Sequence, residues 1–390
     1  MIDPVALTQA LIRCPSVTPK DAGALGLIED ALKPLGFACH RLAFQEQGTE
    51  RVENLYAQAG HGAPLFLFAG HTDVVPPGEA PLWRHDPFGA EIDGGMLYGR
   101  GAADMKSAIA AFVAAVERHF AKGAPKGSIA LLITGDEEAD AVNGTSKVLD
   151  WLKQRKIKLD HCVVGEPSSI ASVGDHIKIG RRGSLNVRAT VEGTQGHVAY
   201  PVKALNPIPA LAELVTRLSN LKLDDGTEHF EPSTLAFTSI DVGNPATNVI
   251  PAAARGLFNI RFNDRHTPES LMRLLDRIAA DVAMDSACTI GLEFALSGVA
   301  FATEPGAFTA MMARAIRSVT GLTPEFSTGG GTSDARFIKD HCPVAELGLV
   351  NATMHKADEC AAMDDIRTLA DIYAALLDAY FANPPTSDCR

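Results

Sequence analysis

The chain has 390 residues, 46% of them hydrophobic and 21% charged, with a formal net charge of −12. This is the composition of an ordinary globular protein with room for two or three domains, and an acidic balance without a long Lys/Arg run argues against a nucleic-acid surface. Seven cysteines are scattered without a CxxC pair, an odd number that disfavours a disulfide framework and points to a reducing, cytoplasmic compartment.

The first residues, MIDPVALTQA, lack a basic stretch followed by an apolar core, so they do not read as a secretory leader. Asp3 and Pro4 supply an N-cap and a first-turn proline for a helix to about Arg13. Continuous apolar runs at 65–69, 129–134 and 162–164 predict strands buried on both faces. Helical patterns at 106–120 and 146–154 lie between them, and the alternation predicts an α/β sheet with covered faces. The longest apolar run, AIAAFVAAV, is about half of what a bilayer span requires, so no membrane partner is expected. Between about Arg182 and Gly298 the pattern changes. Strand 184–192, helix 207–221, strands 235–242 and 256–263, a helix at 268–282 capped by Thr267, and strand 289–296 follow in order. That is β-α-β-β-α-β, a ferredoxin-like unit inserted into the first domain. A closing helix spans 365–381, and the Pro-Pro tail after Ala382 is expected to be loose.

Five residues of metal-ligand type stand on separate stretches, each just after an apolar run: His71 in AGHTDVVPPG, Asp104 in YGRGAADMKS, Glu138 in LLITGDEEAD, Glu166 in VVGEPSS and His355 in NATMHKADE. Open α/β sheets bind ligands beyond the carboxyl ends of their strands, where His71, Glu138 and Glu166 fall. Imidazoles and carboxylates without thiolates suit a hydrolytic zinc or cobalt centre better than a structural zinc site. Five are too many for one four-coordinate ion that keeps an open position. They fit two ions sharing one carboxylate, the pattern of hydrolysis assisted by two metals.

Taken singly, each residue has an ordinary reading. Asp104 could cap the following helix, Glu137-Glu138 could mark a solvated loop, and a histidine after a strand is more often structural. The set shifts the balance, with Glu137 as a spare carboxylate beside Glu138. Asp73, two residues past His71 in an extended segment, points to the same side. Its carboxylate could accept from the imidazole N–H that faces away from a metal, or Asp73 could be a turn residue before Val-Val-Pro-Pro. No GxSxG signature and no phosphate loop is present.

The motifs GHTDVVPPG, LYGRGAADMK, TGDEE, GEPSS and TMHKADE closely resemble those of the zinc-dependent aminoacylase/carboxypeptidase deacylases, in order and over nearly the whole chain. The resemblance implies a mixed-sheet, dinuclear-zinc exopeptidase-like catalytic domain from residues 1–181 and 297–390, with a dimerisation and lid domain from 182–296. It implies two zinc ions per subunit, with cobalt as a substitute. Asp104 would bridge them, His71 and Glu166 would complete one, and Glu138 and His355 the other. Glu137 corresponds to the general base, and a cis peptide is implied at Asp104–Met105.

The narrower match rests on GRRGSLNV, GTQGHVAYP, TNVIP, FNIRF and STGGGTSDARF, and implies a small acidic N-acyl amino acid as substrate. His197 would reach the reacting carbonyl from the partner subunit of a homodimer. Arg182, Tyr200, Asn248, Arg261, Gly331, Thr332 and Ser333 would contact substrate. The residues alone leave Arg261 between an outward-facing and a site position, Arg182 a possible hinge residue beside Arg181, and His197 an ordinary hairpin-end histidine. The acyl group also stays open: a succinyl carboxylate needs a cation such as Arg261, whereas an acetyl group, as in N-acetylornithine, does not. A relative that only binds would be expected to lack a ligand or Glu137, and all six residues are here.

Overall fold

The apolar runs form the centre of an eight-stranded sheet. In the computed structural model, which describes residues 1–385, the strands lie in the order Ala38–Phe44, Val52–Gly60, Ser128–Thr134, Leu65–His71, His161–Val164, Val344–Glu346, His176–Lys178 and Glu325–Ser327. Leu65–His71, Ser128–Thr134 and His161–Val164 are buried at every position, as strands covered on both faces must be. Neighbours among these and Val344–Glu346 run parallel, with His71 opposite Thr134, Ala69 opposite Val164 and Val164 opposite Glu346. Their carboxyl ends therefore share one edge. Ala38–Phe44 and Val52–Gly60 join antiparallel at one end, which makes the sheet mixed.

Helices cover this sheet. Lys106–Phe120 is buried from Lys106 to Val116, because its Ala-rich sequence is apolar on nearly every side. Phe68 stacks on Phe112 with ring centroids 4.3 Å apart, and Tyr373 of helix Met363–Ala382 meets both rings edge-on at 5.7 Å. Lys106, sealed in this layer, donates from Nζ to the carbonyls of Leu11 and Cys14 at 2.9 Å each. Leu11 lies in the last turn of helix Pro4–Ile12 and Cys14 two residues past its end, where a cation is favoured. Burial pushes the Lys106 ammonium down to about 8.

The chain divides into two compact units. One comprises Met1–Ile179, Thr303–Ser327 and the residues from Ser333 onward; the other comprises Gly180–Ala302 with Thr328–Thr332. The crossings lie outside the expected 182 and 296 because Gly180–Arg181 pairs with Phe301–Ala302. A further difference is Thr328–Thr332, expected with the catalytic domain. Arg181 Nη1 donates to the Gly331 carbonyl at 2.8 Å and Thr328 Oγ1 to the His229 carbonyl at 2.5 Å, which ties these residues to the second unit.

That unit holds a four-stranded antiparallel sheet, ordered Thr234–Asp241, Ala253–Phe262, Gly183–Glu192 and Thr289–Gly298. With helices Pro207–Ser219 and Pro268–Ser286 it gives β-α-β-β-α-β in chain order. Alternate residues Leu185, Val187, Ala189 and Val191 are buried with Leu211, Leu214, Leu271 and Leu275, so both helices pack on one sheet face. Thr267 and Ser270 form a reciprocal cap at the second helix. Among the described residues no helix is long and apolar enough to cross a membrane, and no disulfide joins two of the six cysteines. Cys389 and the tail from residue 386 lie outside the described residues.

Candidate metal centre

Three of the predicted ligands come from the shared strand edge. His71 ends Leu65–His71, Glu138 follows Ser128–Thr134, and Glu166 follows His161–Val164. Glycine precedes two of them for a steric reason. A Cβ at Gly70 would lie 2.4 Å from Met105 Cε, and one at Gly165 would lie 2.6 Å from it. The Met105 side chain fills the space beside Gly70 and Gly165, and a cis peptide joins Met105 to Asp104. His355 comes from an irregular loop at φ 61°, a left-handed conformation that a non-glycine residue adopts only where its surroundings impose it.

These side chains converge. His71 Nε2 lies 3.2 Å from Asp104 Oδ1 and 3.6 Å from Glu166 Oε1. His355 Nε2 lies 3.1 Å from Glu138 Oε1 and 3.3 Å from Asp104 Oδ2. Two groups result, His71–Asp104–Glu166 and Asp104–Glu138–His355, and within each the ligand atoms lie within 4.8 Å of one another. Asp104 turns one oxygen to each. The donor set, nitrogen and carboxylate oxygen, fits a pair of divalent cations that share one carboxylate.

The electrostatics agree with a cation site. Burial disfavours a charged His71, yet Asp104, Glu137 and Glu166 raise its pKa well above the ordinary histidine value. Asp104 and Glu138 lift His355 to about 10. Burial would raise Asp104, but hydrogen bonds from His355 and His71 hold it below the usual carboxylate range. So dense a set of carboxylates draws positive charge onto both imidazoles.

Glu137 belongs to neither ligand group. Burial, then the neighbouring Glu166 carboxylate, raises its carboxyl well above the ordinary glutamate value. Asp73 acts differently from the sequence expectation. Its carbonyl, not its carboxylate, takes the His71 Nδ1 contact at 2.9 Å, while the nearer carboxylate oxygen stands 3.7 Å away. The carboxylate instead accepts the backbone N–H groups of Glu137 and Glu138, each at 3.1 Å. Burial raises Asp73 to about 6.

Sequence reasoning passed over two acids beside the centre. Asp136 accepts from the N–H groups of Ala141 and Asn143 and shapes the loop that carries Glu137 and Glu138. Glu359 is fully buried against the loop before Asp104. The only signal was that each adjoins a ligand motif.

The expected substrate residues are divided between the units. Ser333 lies in the first, fully buried, with its hydroxyl donating to Glu346 Oε1 at 2.5 Å. The others lie in the second. There His197 pairs with Val249 on a short ladder, its ring 5.8 Å from that of Tyr200, and the Asn248 carbonyl accepts from Val198 N–H. Arg261 faces away from the core residues Ile260 and Phe262, and its Nη1 is buried without a hydrogen-bond partner. Burial, then the charges of Arg182 and Arg181, depress the Arg261 pKa. Arg182 contacts the Pro232 carbonyl at 3.3 Å and Glu231 at 3.7 Å.

A mixed α/β sheet with paired nitrogen–carboxylate ligand groups drawn from its strand ends and neighbouring loops is the arrangement of a metallohydrolase scaffold. Residues 67–379 match the profile of "Peptidase family M20/M25/M40", and the chain belongs to that family. It is 58% identical over 381 residues to a protein of Rhodospirillum centenum named succinyl-diaminopimelate desuccinylase, covering 97% of this chain and 98% of the relative. Among solved structures, a Staphylococcus aureus tripeptidase aligns with TM-score 0.80 at 17% identity, covering 98% of each chain. A Bacillus subtilis protein described as a dinuclear metal-binding peptidase of family M20 aligns with TM-score 0.71 at 14% identity, covering 96% of each. These two show the shared fold.

Proposed function

We propose that this protein is a metal-dependent amide hydrolase that cleaves N-succinyl-LL-2,6-diaminopimelate to succinate and LL-2,6-diaminopimelate. It would act as a cytoplasmic homodimer in lysine and peptidoglycan-precursor synthesis. The observation that carries the chemistry is Asp104, one oxygen toward His71 and the other toward His355. Two zinc ions fit this arrangement, with cobalt as a substitute: His71, Asp104 and Glu166 would hold one, and Asp104, Glu138 and His355 the other. Bound there, the pair would polarise the scissile carbonyl and acidify a water.

The remaining steps belong to the chain. Glu137, outside both ligand groups and with a raised pKa, takes the water's proton as its oxygen attacks the amide carbon. It then returns a proton to the departing nitrogen, so the C–N bond breaks to leave a carboxylate and an amine. Asp73 holds Glu137 in place through its backbone. His197 of the partner subunit would donate to the tetrahedral oxyanion.

The substrate carries three carboxylates, and the second unit supplies grouped guanidinium charge for them. Arg261 in particular has a buried N–H group without an acceptor, so an arriving carboxylate would satisfy a donor already removed from water. Arg182, Tyr200 and Asn248 would add polar contacts, and residues 331–333 backbone N–H groups. The deciding assay measures metal per chain and then compares succinate release from N-succinyl-LL-diaminopimelate with acetate release from N-acetylornithine. Two cations per chain and a large preference for the succinylated compound are expected. Equal or faster acetate release would reassign the substrate.

A further inference from the structure

The two cation positions are supported unequally by the fold. His71 ends a central strand and Glu166 stands two residues beyond another, so their group is anchored to the sheet. His355 sits in an irregular loop with left-handed residues at 355 and 358, and Asp104 in the loop ahead of helix Lys106–Phe120. Something must hold these two loops in mutual register, because their spacing sets the second ligand group.

Glu359 meets that requirement. It is 0% exposed, and its Oε1 accepts the N–H groups of Gly101 at 3.1 Å, Ala103 at 2.9 Å and Asp104 at 3.1 Å. Its own carbonyl accepts from Gly99 N–H at 2.8 Å. Its other carboxylate oxygen takes Arg100 Nη1 at 2.6 Å, and the same Nη1 donates to the Lys356 carbonyl at 3.1 Å. Arg100 is 2% exposed, with its guanidinium 5.2 Å over the Trp83 ring. One carboxylate and one guanidinium thus join residues 99–104, which end on Asp104, to residues 356–359, which follow His355. Neither group enters a ligand set.

We propose that Glu359, with Arg100, is a positioning residue that sets the spacing between Asp104 and His355 and so builds the cation position made by Asp104, Glu138 and His355. The inference rests on the two-cation reading above. A buried carboxylate collecting several backbone N–H groups orders a loop as a metal ligand's outer partner orders an imidazole. Its loss loosens the loop-borne position, where both Asp104 and His355 depend on these loops, more than the strand-borne one, where Asp104 alone does.

The test is a titration of metal-free protein with Zn2+ by calorimetry, and with Co2+ followed by its visible absorption. Wild type should take two equivalents; a single equivalent would overturn the two-cation reading itself. Given two, Glu359→Gln should weaken one equivalent about 10- to 100-fold, leave the other within about threefold, and change the Co2+ spectrum of the weakened equivalent only. Arg100→Lys keeps the charge but not the planar guanidinium whose Nη1 serves both Glu359 and Lys356, and should show the same asymmetry to a smaller degree. If Glu359→Gln is not recovered folded, that variant carries the test. Equal weakening of both equivalents, or none, in a folded variant overturns the proposal.

Discussion

The Asp73 carboxylate holds Glu137 by the main chain: Oδ2 accepts the Glu137 N–H at 3.1 Å and the Glu138 N–H at 3.1 Å. One residue thereby places the proposed proton carrier and a proposed metal ligand together, while its carbonyl contacts His71 Nδ1. Glu137→Gln should therefore lower kcat by about 10²- to 10⁴-fold, the usual worth of a general base, with cation content unchanged. Asp73→Asn should lose about 10- to 100-fold. Steady-state kinetics with metal analysis of the same samples checks both.

Arg261→Ala should discriminate between acyl groups. The variant should lose about 10²-fold or more in kcat/KM on a succinylated substrate, the scale of removing a charge-assisted contact from a partly desolvated site. The loss on an acetylated substrate should be much smaller. Equal losses would assign Arg261 to a part of the substrate common to both.

If His197 acts across a dimer, two inactive variants should complement each other. Glu137→Gln and His197→Ala subunits, mixed and allowed to exchange, would form hybrids with one site intact. Random exchange of equal amounts would restore about a quarter of wild-type activity. Recovery no greater than the two variants' residual activities would place His197 in its own subunit's site or in none.

Acid stability should depend on His161. Its ring is buried beside Phe308, and Tyr380 Oη lies 3.0 Å from Nδ1. Burial lowers its pKa from the ordinary 6.5 to about 4. In the unfolded chain the imidazole binds a proton as pH falls through 6.5, whereas the folded protein resists until about 4. The unfolded state thus binds more protons in that window, and stability falls with pH. The contribution is complete above pH 6.5 and its loss approaches roughly 2–3 kcal/mol by pH 4. Urea unfolding of metal-free protein across this range should show the decline, and His161→Gln, whose amide can still accept from Tyr380, should flatten it.

Local patterns made much of this molecule legible. Helix Lys106–Phe120 has the expected bounds, and the central strands differ by a residue or two, because an uninterrupted apolar run has one stable place in a covered sheet. Ala38–Phe44 and Val52–Gly60 were not legible. The first is partly exposed along its length, and the second carries Asn54, buried because its amide bonds to carbonyls of Leu42 and Asn143. Among candidate site residues, ligand chemistry could be read from residue type, but the role of the Asp73 carboxylate depends on a turn 64 residues away. Glu359 reads as one more loop acid until the chain brings residues 255 positions earlier against it. Thr328–Thr332 likewise joins the second unit through Arg181 and His229, contacts without a local signature.

The most direct measurement is anomalous diffraction from crystals grown with Zn2+. The account predicts two peaks about 3.5–4 Å apart, one beside His71 and Glu166, the other beside Glu138 and His355, both in contact with Asp104. A single peak, or peaks that do not share Asp104, would contradict it.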